Sequence, residues 1–342
     1  MTSMNTKLTV LLGTKIPMVS APMYYASTPE MAAAATRAGA FGFIAAGFTP
    51  STTLVEEIRA ARSILKTSSD APVPIGVGLL GWILDQTETS DDPRIPAVLA
   101  ERPVAVWLAF GVDLGKYVAQ VRQYDAAREH KTIVFVIVNN VDEAVRAATE
   151  WKVDVLVVQG NEAGGHGRGD APPLLTLLAS VLAAVPSGPV ILAAGGVSTG
   201  SQVAALLTMG TDGVVIGSRL LCTPECMYPE QSKDVILNSK LSCTMRSTVF
   251  DEVNRTAMWP NGINGRAIAN DIVQDEKVGL SLEERLKKHD ESKMNGESNR
   301  LVIWAGDAVG FVNDKESTQS VLQRLHQDAV TAIRKGAEIL DV

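Results

Sequence analysis

The sequence predicts an α/β fold, a (β/α)8 TIM barrel with a smaller helical region towards the C-terminus. Eight short runs rich in Val, Ile, Leu and Ala alternate with stretches of helical periodicity between residues 18 and 217. Such continuous apolar runs are typical of parallel strands that are buried on both faces. An open, doubly wound parallel sheet would give a similar pattern, but eight strands favour a closed barrel.

The predicted elements follow one another in a regular order. The strands are residues 18–21, 41–45, 73–79, 104–110, 132–138, 153–159, 190–194 and 213–217. The intervening helices are residues 29–38, 51–66, 96–101, 114–128, 141–150, 172–185 and 200–209. A last helix over residues 319–339 has apolar side chains at helical spacing, so we expect it to pack against the barrel.

The alternation stops after Arg219, and this change suggests two regions. Residues 10–220, together with part of 300–342, are predicted to form the barrel. Residues 221–300 are predicted to form a helical, polar extension near the active-site face, because residues 271–299 are rich in charged and polar side chains.

Composition and charge exclude several classes of protein. Of the 342 residues, 46% are hydrophobic and 20% are charged, which excludes a mainly disordered chain. The net charge of −7 argues against a nucleic-acid binder. No apolar run is long enough to cross a membrane, and the N-terminal segment lacks the apolar stretch of a signal peptide. We therefore expect a cytoplasmic protein that binds neither nucleic acid nor membrane.

The chain has three cysteines, Cys222, Cys226 and Cys243, which fit neither a disulfide scaffold nor a zinc site. No histidine lies near them in the sequence. We expect these thiols to be reduced and expect no bound metal.

A glycine-rich segment, residues 159–169, follows the sixth predicted strand. It holds five glycines and one of the four histidines of the chain, His166. Glycines let the backbone approach a ligand closely, and the pKa of histidine suits proton transfer near neutral pH. The segment is interpreted as an active-site loop with His166 as a candidate acid or base. The alternative is a flexible loop with a solvated histidine.

Glycines also follow the seventh and eighth predicted strands, at Gly195–Gly196 and Gly217–Ser218. The loops after these two strands of a barrel often bind phosphate through backbone N–H groups. Pro22 marks a further turn at the end of the first strand. These residues predict a phosphorylated ligand but leave open whether it is a flavin, pyridoxal phosphate or a sugar phosphate.

Four segments resemble the nitronate monooxygenases, formerly called 2-nitropropane dioxygenases. They read APMYYASTPEMAAAATRAGAFGFIAAG, VVQGNEAGGHGRG, VILAAGGVSTGSQVAALLTMGTDGVVIGSRLLCTPE and WAGDAVGFV, within residues 10–315. The resemblance implies an FMN-dependent TIM barrel that oxidises alkyl nitronates or nitroalkanes with O2 to a carbonyl compound and nitrite. It also implies that NAD(P)H is not needed by the nitronate-oxidising members.

The resemblance assigns roles to individual residues. His166 matches the catalytic base of the family, and the Pro22–Met23 backbone would lie against the flavin ring. The implied cofactor-binding residues are Pro22, Met23, Gly76, Gln159, Gly164, Gly165, Gly195, Gly196, Gly217 and Ser218. The last four would hold the FMN phosphate.

Three positions differ from the family pattern. The run Gly76–Gly78 stands where many relatives carry an asparagine near the flavin. Many relatives have His-Arg-Gly, whereas here Gly167 stands between His166 and Arg168. Asp307 stands where the family often has glutamine.

Related barrels include FMN-dependent NAD(P)H reductases of quinones or enoyl thioesters, and His166 does not separate these from nitronate oxidation. A related flavoenzyme of secondary metabolism is also open. A flavin-binding barrel without turnover is a further alternative. The expected partners are a small-molecule substrate and O2, and the sequence leaves a homodimer open.

Overall fold

The computed structural model describes residues 2–340, and its centre is a ring of eight parallel strands. The strands are β1 (Met18–Ser20), β2 (Gly42–Ala45), β3 (Val73–Leu80), β4 (Pro103–Ala109), β5 (Ile133–Val138), β6 (Val155–Gln159), β8 (Val190–Ala194) and β9 (Gly213–Ile216). Their order around the sheet is β1-β9-β8-β6-β5-β4-β3-β2. A parallel bridge between Val19 and Phe41 joins the two ends of the sheet. The predicted TIM barrel is therefore confirmed, and the open sheet is excluded.

Helices cover the outside of the ring between successive strands. They are α2 (Pro29–Arg37), α3 (Ser51–Leu65), α4 (Gly81–Thr87), α5 (Arg94–Ala100), α6 (Gly115–Ala126), α7 (Val141–Thr149), α8 (Leu174–Ala184) and α9 (Gly200–Thr208). The last helix, α14 (Thr318–Ala337), packs between α9 and α2. At Gly200 the two backbones are so close that an added Cβ would lie 2.7 Å from the Ala329 nitrogen.

Aromatic rings fill the inside of the barrel. Phe43 contacts Phe41, Trp107 and Phe135 edge to face, with ring centroids 5.1–5.4 Å apart. An N-terminal helix, α1 (Lys7–Leu12), adds the fully buried Leu8 to the same cluster. The interior is thus a packed core, and the open space of the barrel lies at the carboxyl ends of its strands.

The segment between β9 and α14 is an extension with a small core of its own. Its helices are α10 (Glu230–Leu237), α11 (Val249–Asn254), α12 (Asp271–Lys277) and α13 (Leu282–Met294). It also contains two strands, β10 (Thr244–Ser247) and β11 (Ile263–Ile268). The prediction of a helical extension is therefore incomplete, because short strands with many polar residues carry no clear alternation of apolar side chains.

The glycine-rich segment differs from its prediction as well. Part of it forms strand β7 (Gly165–Arg168), which pairs antiparallel with β11, and β11 pairs with β10. His166 lies opposite Gly265 in this three-stranded sheet. The histidine is therefore held by strand pairing with a segment about 100 residues further along the chain, and it does not belong to a flexible loop.

No helix among residues 2–340 combines the length and the apolar character that crossing a membrane requires.

Candidate active site

A cavity opens at the carboxyl ends of the barrel strands, where the active sites of TIM barrels lie. The sequence-predicted residues that line it are Pro22, Met23, Gln159, Gly164, Gly165, His166, Gly195, Gly196, Gly217 and Ser218. The fold therefore brings together residues from four separate parts of the chain.

Gly76 is the predicted site residue that does not line the cavity. A Cβ at Gly76 would lie 2.1 Å from the Phe43 ring, so this glycine makes room for the aromatic core of the barrel. The glycine of β3 that lines the cavity is Gly78, where a Cβ would lie 2.4 Å from the Pro22 side chain. Residues two apart on a strand face the same side, so the two glycines differ in depth: Gly76 lies in the barrel core and Gly78 lies nearer the strand end, at the cavity. The structure therefore places Gly78, and not Gly76, where a ligand in the cavity could be contacted.

The backbone after β8 has the properties of an anion site. Gly195 and Gly196 adopt φ values of 107° and 69°, in the left-handed region that favours glycine. The N–H groups of Gly196 and Val197 donate to no acceptor within residues 2–340. Ser218 accepts a hydrogen bond from the Gly306 N–H at 2.9 Å, so its hydroxyl hydrogen remains available as a donor.

Gln159, at the end of β6, is oriented by Asn139. The Nδ2 group of Asn139 donates to the side-chain oxygen of Gln159 at 3.0 Å and to its carbonyl oxygen at 2.8 Å. The amide nitrogen of Gln159 is thereby left as the donor, with only a long contact of 3.4 Å to the His166 carbonyl oxygen.

His166 is paired with a buried carboxylate from the extension. Its Nε2 lies 2.9 and 3.0 Å from the two carboxylate oxygens of Asp251, which sits on α11. The Thr256 hydroxyl donates to the same carboxylate at 2.9 Å. Because an ionised carboxylate can only accept hydrogen bonds, Nε2 carries the proton of a neutral imidazole. Nδ1 makes no hydrogen bond within residues 2–340, so it is the basic nitrogen available to a ligand.

Two tryptophans fix the plane of the same imidazole. Trp259 stacks on it with ring centroids 3.6 Å apart and planes 12° apart. Trp304 lies at 4.8 Å with a tilt of 52°. A Cβ at Gly265 would lie 2.1 Å from the Trp304 ring, so only glycine at this position of β11 allows that contact. Stacked aromatic faces also stabilise the cationic form of the ring.

A buried guanidinium supports the glycine-rich segment from behind. Arg246, on β10, donates to the carbonyl oxygens of Ala163 and Asn264, each at 2.7 Å. No carboxylate within the described residues pairs with it, and burial together with the nearby Arg266 lowers the pKa of Arg246 to about 10. Arg266 in turn donates to the Asn161 carbonyl oxygen at 3.0 Å and pairs with Asp307 at 2.7 Å. Asp307, which stands where the family often has glutamine, is therefore the ion-pair partner of a second arginine, Arg266.

Sequence reasoning missed the residues that surround His166, namely Asp251, Thr256, Trp259 and Trp304. Trp304 lies in one of the segments that carry the resemblance, and this was its only signal. Asp251 and Thr256 belong to a polar stretch in which no spacing distinguishes them from solvated residues.

None of the three cysteines is among the described residues that line the cavity. Cys222 and Cys226 are buried, and burial raises the pKa of the Cys222 thiol to about 12. Within residues 2–340, no group of three or more His, Cys, Asp or Glu side chains is arranged to bind a metal ion.

A paired histidine at the catalytic end of a (β/α)8 barrel is the arrangement expected of a barrel enzyme that moves protons. Comparison with known sequences shows to which family of such enzymes the chain belongs. The family profile described as nitronate monooxygenase matches residues 5–328. The chain belongs to the nitronate monooxygenase family and is an oxidoreductase, which confirms the resemblance found in the sequence.

Individual relatives agree with this assignment. The chain is 32% identical to a nitronate monooxygenase of Neurospora crassa, over 94% of this chain and 91% of that protein. It is also 32% identical to the nitronate monooxygenase npaC of Metarhizium robertsii, over 94% and 92% of the two chains. Among solved structures, nitroalkane oxidase from Streptomyces ansochromogenes has the same fold, with a TM-score of 0.75 at 23% identity over 96% of this chain and 99% of that chain.

Proposed function

We propose that this protein binds FMN and oxidises alkyl nitronates with O2 to a carbonyl compound and nitrite. The observation that carries the proposal is the His166–Asp251 pair, which faces a cavity with an anion site at one end and apolar side chains at the other. Membership of the nitronate monooxygenase family supports the reaction class.

The residues at the strand ends fit a flavin mononucleotide. The two unpaired N–H groups at Gly196 and Val197 and the Ser218 hydroxyl are suited to a phosphate monoester. The nearby carboxylate of Glu162 is turned away, because it accepts the Leu174 N–H at 2.9 Å. Pro22, Gly78 and Gly164 present backbone and small side chains to the cavity, which leaves room for a flat ring. When bound, FMN would supply the redox chemistry.

The residues of the chain would then handle the substrate proton and charge. Nδ1 of His166 removes the α-proton of a neutral nitroalkane, and Asp251 stabilises the imidazolium that results. With a preformed nitronate no proton has to be removed. His166 then acts in its protonated form, and the positive charge of the imidazolium attracts the nitronate anion. Trp259 holds the ring in one plane in both cases.

The charges of the cavity favour this reaction over reduction by a nicotinamide cofactor. No Lys or Arg side chain is among the described residues that line the cavity. NADH and NADPH carry a diphosphate, which proteins usually neutralise with cationic side chains or a helix N-terminus. A nitronate carries a single charge, which protonated His166 can balance.

Anaerobic mixing of the purified, FMN-loaded protein with one reductant at a time tests the proposal. We expect ethyl nitronate to bleach the flavin absorbance at least as fast as the enzyme turns over. We expect NADH and NADPH to reduce the flavin far more slowly than ethyl nitronate does. Rapid bleaching by a nicotinamide together with none by nitronate would instead assign the protein to the reductases. Release of FAD, or of no flavin, on heating the protein as purified, before any FMN is added, would contradict the cofactor.

A further inference from the structure

Two arginines lie opposite each other in the three-stranded sheet beside the cavity. Arg246 on β10 is in register with Arg266 on β11. Like charges that face each other across two strands are destabilising. Within residues 2–340, the carboxylate that pairs with them is Asp307, whose Oδ1 lies 2.7 Å from Nη1 of Arg266 and whose side chain is 38% exposed. Two positive charges and one negative charge leave one positive charge uncompensated, and it lies on Arg246.

This charge persists at neutral pH and is largely shielded from water. Burial lowers the pKa of Arg246 to about 10, which is still far above neutral. Its Nε is buried and has no hydrogen-bond partner in the described part of the chain. Gly167 leaves room for the guanidinium, because a Cβ there would lie 3.4 Å from both of its terminal nitrogens. A buried charge without a partner is costly, and proteins keep such costs chiefly at functional sites.

The guanidinium acts on the peptide unit between Ala163 and Gly164. Nη2 of Arg246 donates to the Ala163 carbonyl oxygen at 2.7 Å. In a trans peptide the C=O and N–H groups point in opposite directions, so the Gly164 N–H points away from Arg246. That N–H donates to no acceptor within residues 2–340. Ala163 and Gly164 line the cavity and Arg246 does not, so the positive charge acts on the cavity through an oriented, polarised N–H group.

We propose that Arg246 is a positioning residue that favours, through the Gly164 N–H, the reduced and negatively charged form of FMN bound in the cavity. This inference rests on the cofactor of the proposed function. Reduction by two electrons with uptake of one proton leaves one negative charge on the flavin ring. A positive charge nearby stabilises that form and raises the midpoint potential of the flavin. His166 does not supply this charge while it acts as a base, because it must be neutral to accept the α-proton.

The midpoint potential of the bound FMN, titrated against a reference dye at neutral pH without substrate, tests the inference. Arg246→Gln keeps a hydrogen-bond donor but removes the charge. We expect it to raise the dissociation constant of reduced FMN about tenfold relative to that of oxidised FMN, which lowers the midpoint potential by about 30 mV for a two-electron couple. Arg246→Lys keeps the charge and should change the potential far less, although it loses the shape of the guanidinium.

Asp307→Asn gives a prediction of the opposite sign. It removes the negative charge beside Arg266 and keeps the shape of the side chain, so the midpoint potential should rise. The rise should be smaller than the fall in Arg246→Gln, because Asp307 is partly exposed. Arg300→Gln is the matched control, since the Arg300 side chain is 15% exposed, pairs with Asp275 at 2.8 Å and lies outside the cavity. Its midpoint potential should equal that of the parent protein.

The outcomes separate this inference from the proposed function. A midpoint potential that is unchanged in Arg246→Gln, or that falls equally in the Gln and Lys variants, overturns the inference and leaves FMN binding and nitronate oxidation intact. An equal fall in Arg300→Gln overturns it as well. If Arg246→Gln does not retain FMN, Asp307→Asn decides, and a potential that does not rise there contradicts the inference. If the parent protein binds no FMN, the proposed function fails and this inference fails with it.

Discussion

Three neighbours of His166 each restrict a different property of its ring. Asp251 fixes which nitrogen carries the proton, Trp259 covers one face, and Trp304 limits rotation from the side. The imidazole therefore presents one basic nitrogen in one orientation without having to reorganise when substrate binds. Such preorganisation is the main contribution that a protein makes to proton transfer.

Replacement of His166 by Ala should separate proton removal from charge attraction. With neutral nitroethane, kcat/KM should fall about 10²–10⁴-fold, the usual contribution of a general base. With preformed ethyl nitronate it should fall less, because the proton is already gone. Steady-state kinetics with both substrates, at equal FMN content, provides the measurement. Equal losses would assign His166 to binding alone, and unchanged rates would remove it from the mechanism.

Asp251 is a positioning residue, and Asp251→Asn should reveal this in the ratio of two activities. Asparagine keeps the shape of the side chain but removes the charge that stabilises the imidazolium. The value of kcat/KM for nitroethane should therefore decrease roughly 10- to 100-fold at neutral pH, whereas kcat/KM for preformed ethyl nitronate should fall less. Asp170→Asn, at a carboxylate that is 70% exposed in an ion pair with Arg168, is the control. Equal losses with both substrates would mean that Asp251 is only structural.

A carboxylate at Gly196 should weaken FMN binding, since Gly196→Asp places a negative charge beside the phosphate. Backbone strain alone is controlled by Gly296→Asp, because Gly296 has nearly the same φ, 68° against 69° for Gly196, and open space around it. Titration of apo-protein with FMN should show a dissociation constant raised by tenfold or more only for Gly196→Asp, an estimate of about 1.4 kcal/mol for one close like charge. Equal constants for both variants and the parent protein would place the phosphate elsewhere.

At the scale of elements, β7 shows how a glycine-rich segment becomes rigid. Its own residues have little tendency to form a strand, so its order comes from pairing with β11 and from Arg246 behind it. The guanidinium satisfies backbone carbonyl oxygens that would otherwise be buried without a donor.

The variant Arg246→Met should therefore loosen this segment. Two buried carbonyl oxygens lose their donor, and we expect a loss of stability of about 2–4 kcal/mol. Hydrogen exchange of the amides in residues 161–168 should become faster than in the parent protein, while exchange in β2, on the opposite side of the ring from β6, should not change. Arg59→Met is the control, because the Arg59 side chain is 64% exposed. Unchanged exchange in both variants would show that strand pairing alone holds β7.

The same elements show which parts of the fold and of the site could be predicted from the sequence. The eight barrel strands were predictable because burial on both faces requires continuous apolar runs, as in Val190–Ala194. That Gly195 and Gly217 lie together at the mouth of the barrel was predictable, because their positions follow from the strands that precede them. The pairing of β7 with β11, and of His166 with Asp251, depends on contacts between distant segments, and neither leaves a local pattern.

Over the whole molecule, two histidines couple stability to pH. Burial lowers the pKa of His130 and of His289 below the ordinary 6.5. As the pH falls below about 6.5, the unfolded chain takes up protons that the folded chain does not, so the folded state loses stability. Urea unfolding at pH 7.5 and 5.5 should show a smaller free energy of unfolding at the lower pH.

His289→Gln should reduce that difference, because glutamine does not titrate. Lys287→Gln, at a neighbouring side chain that is 76% exposed on the same helix, should leave it unchanged. A pH dependence that is identical in both variants would assign the effect to other groups.

The position of α14 between α9 and α2 has a consequence for biosynthesis. A ribosome makes all eight barrel strands before it makes this helix, so any ring of strands that has formed by then lacks one part of its outer layer. Until α14 is in place, the side of α2 that it contacts and the close-packed face of α9 at Gly200 are exposed to water. Exposed apolar surface of this kind favours aggregation and chaperone binding of the nascent chain. When α14 packs between α9 and α2, it covers this apolar surface and so removes one cause of aggregation of the new chain.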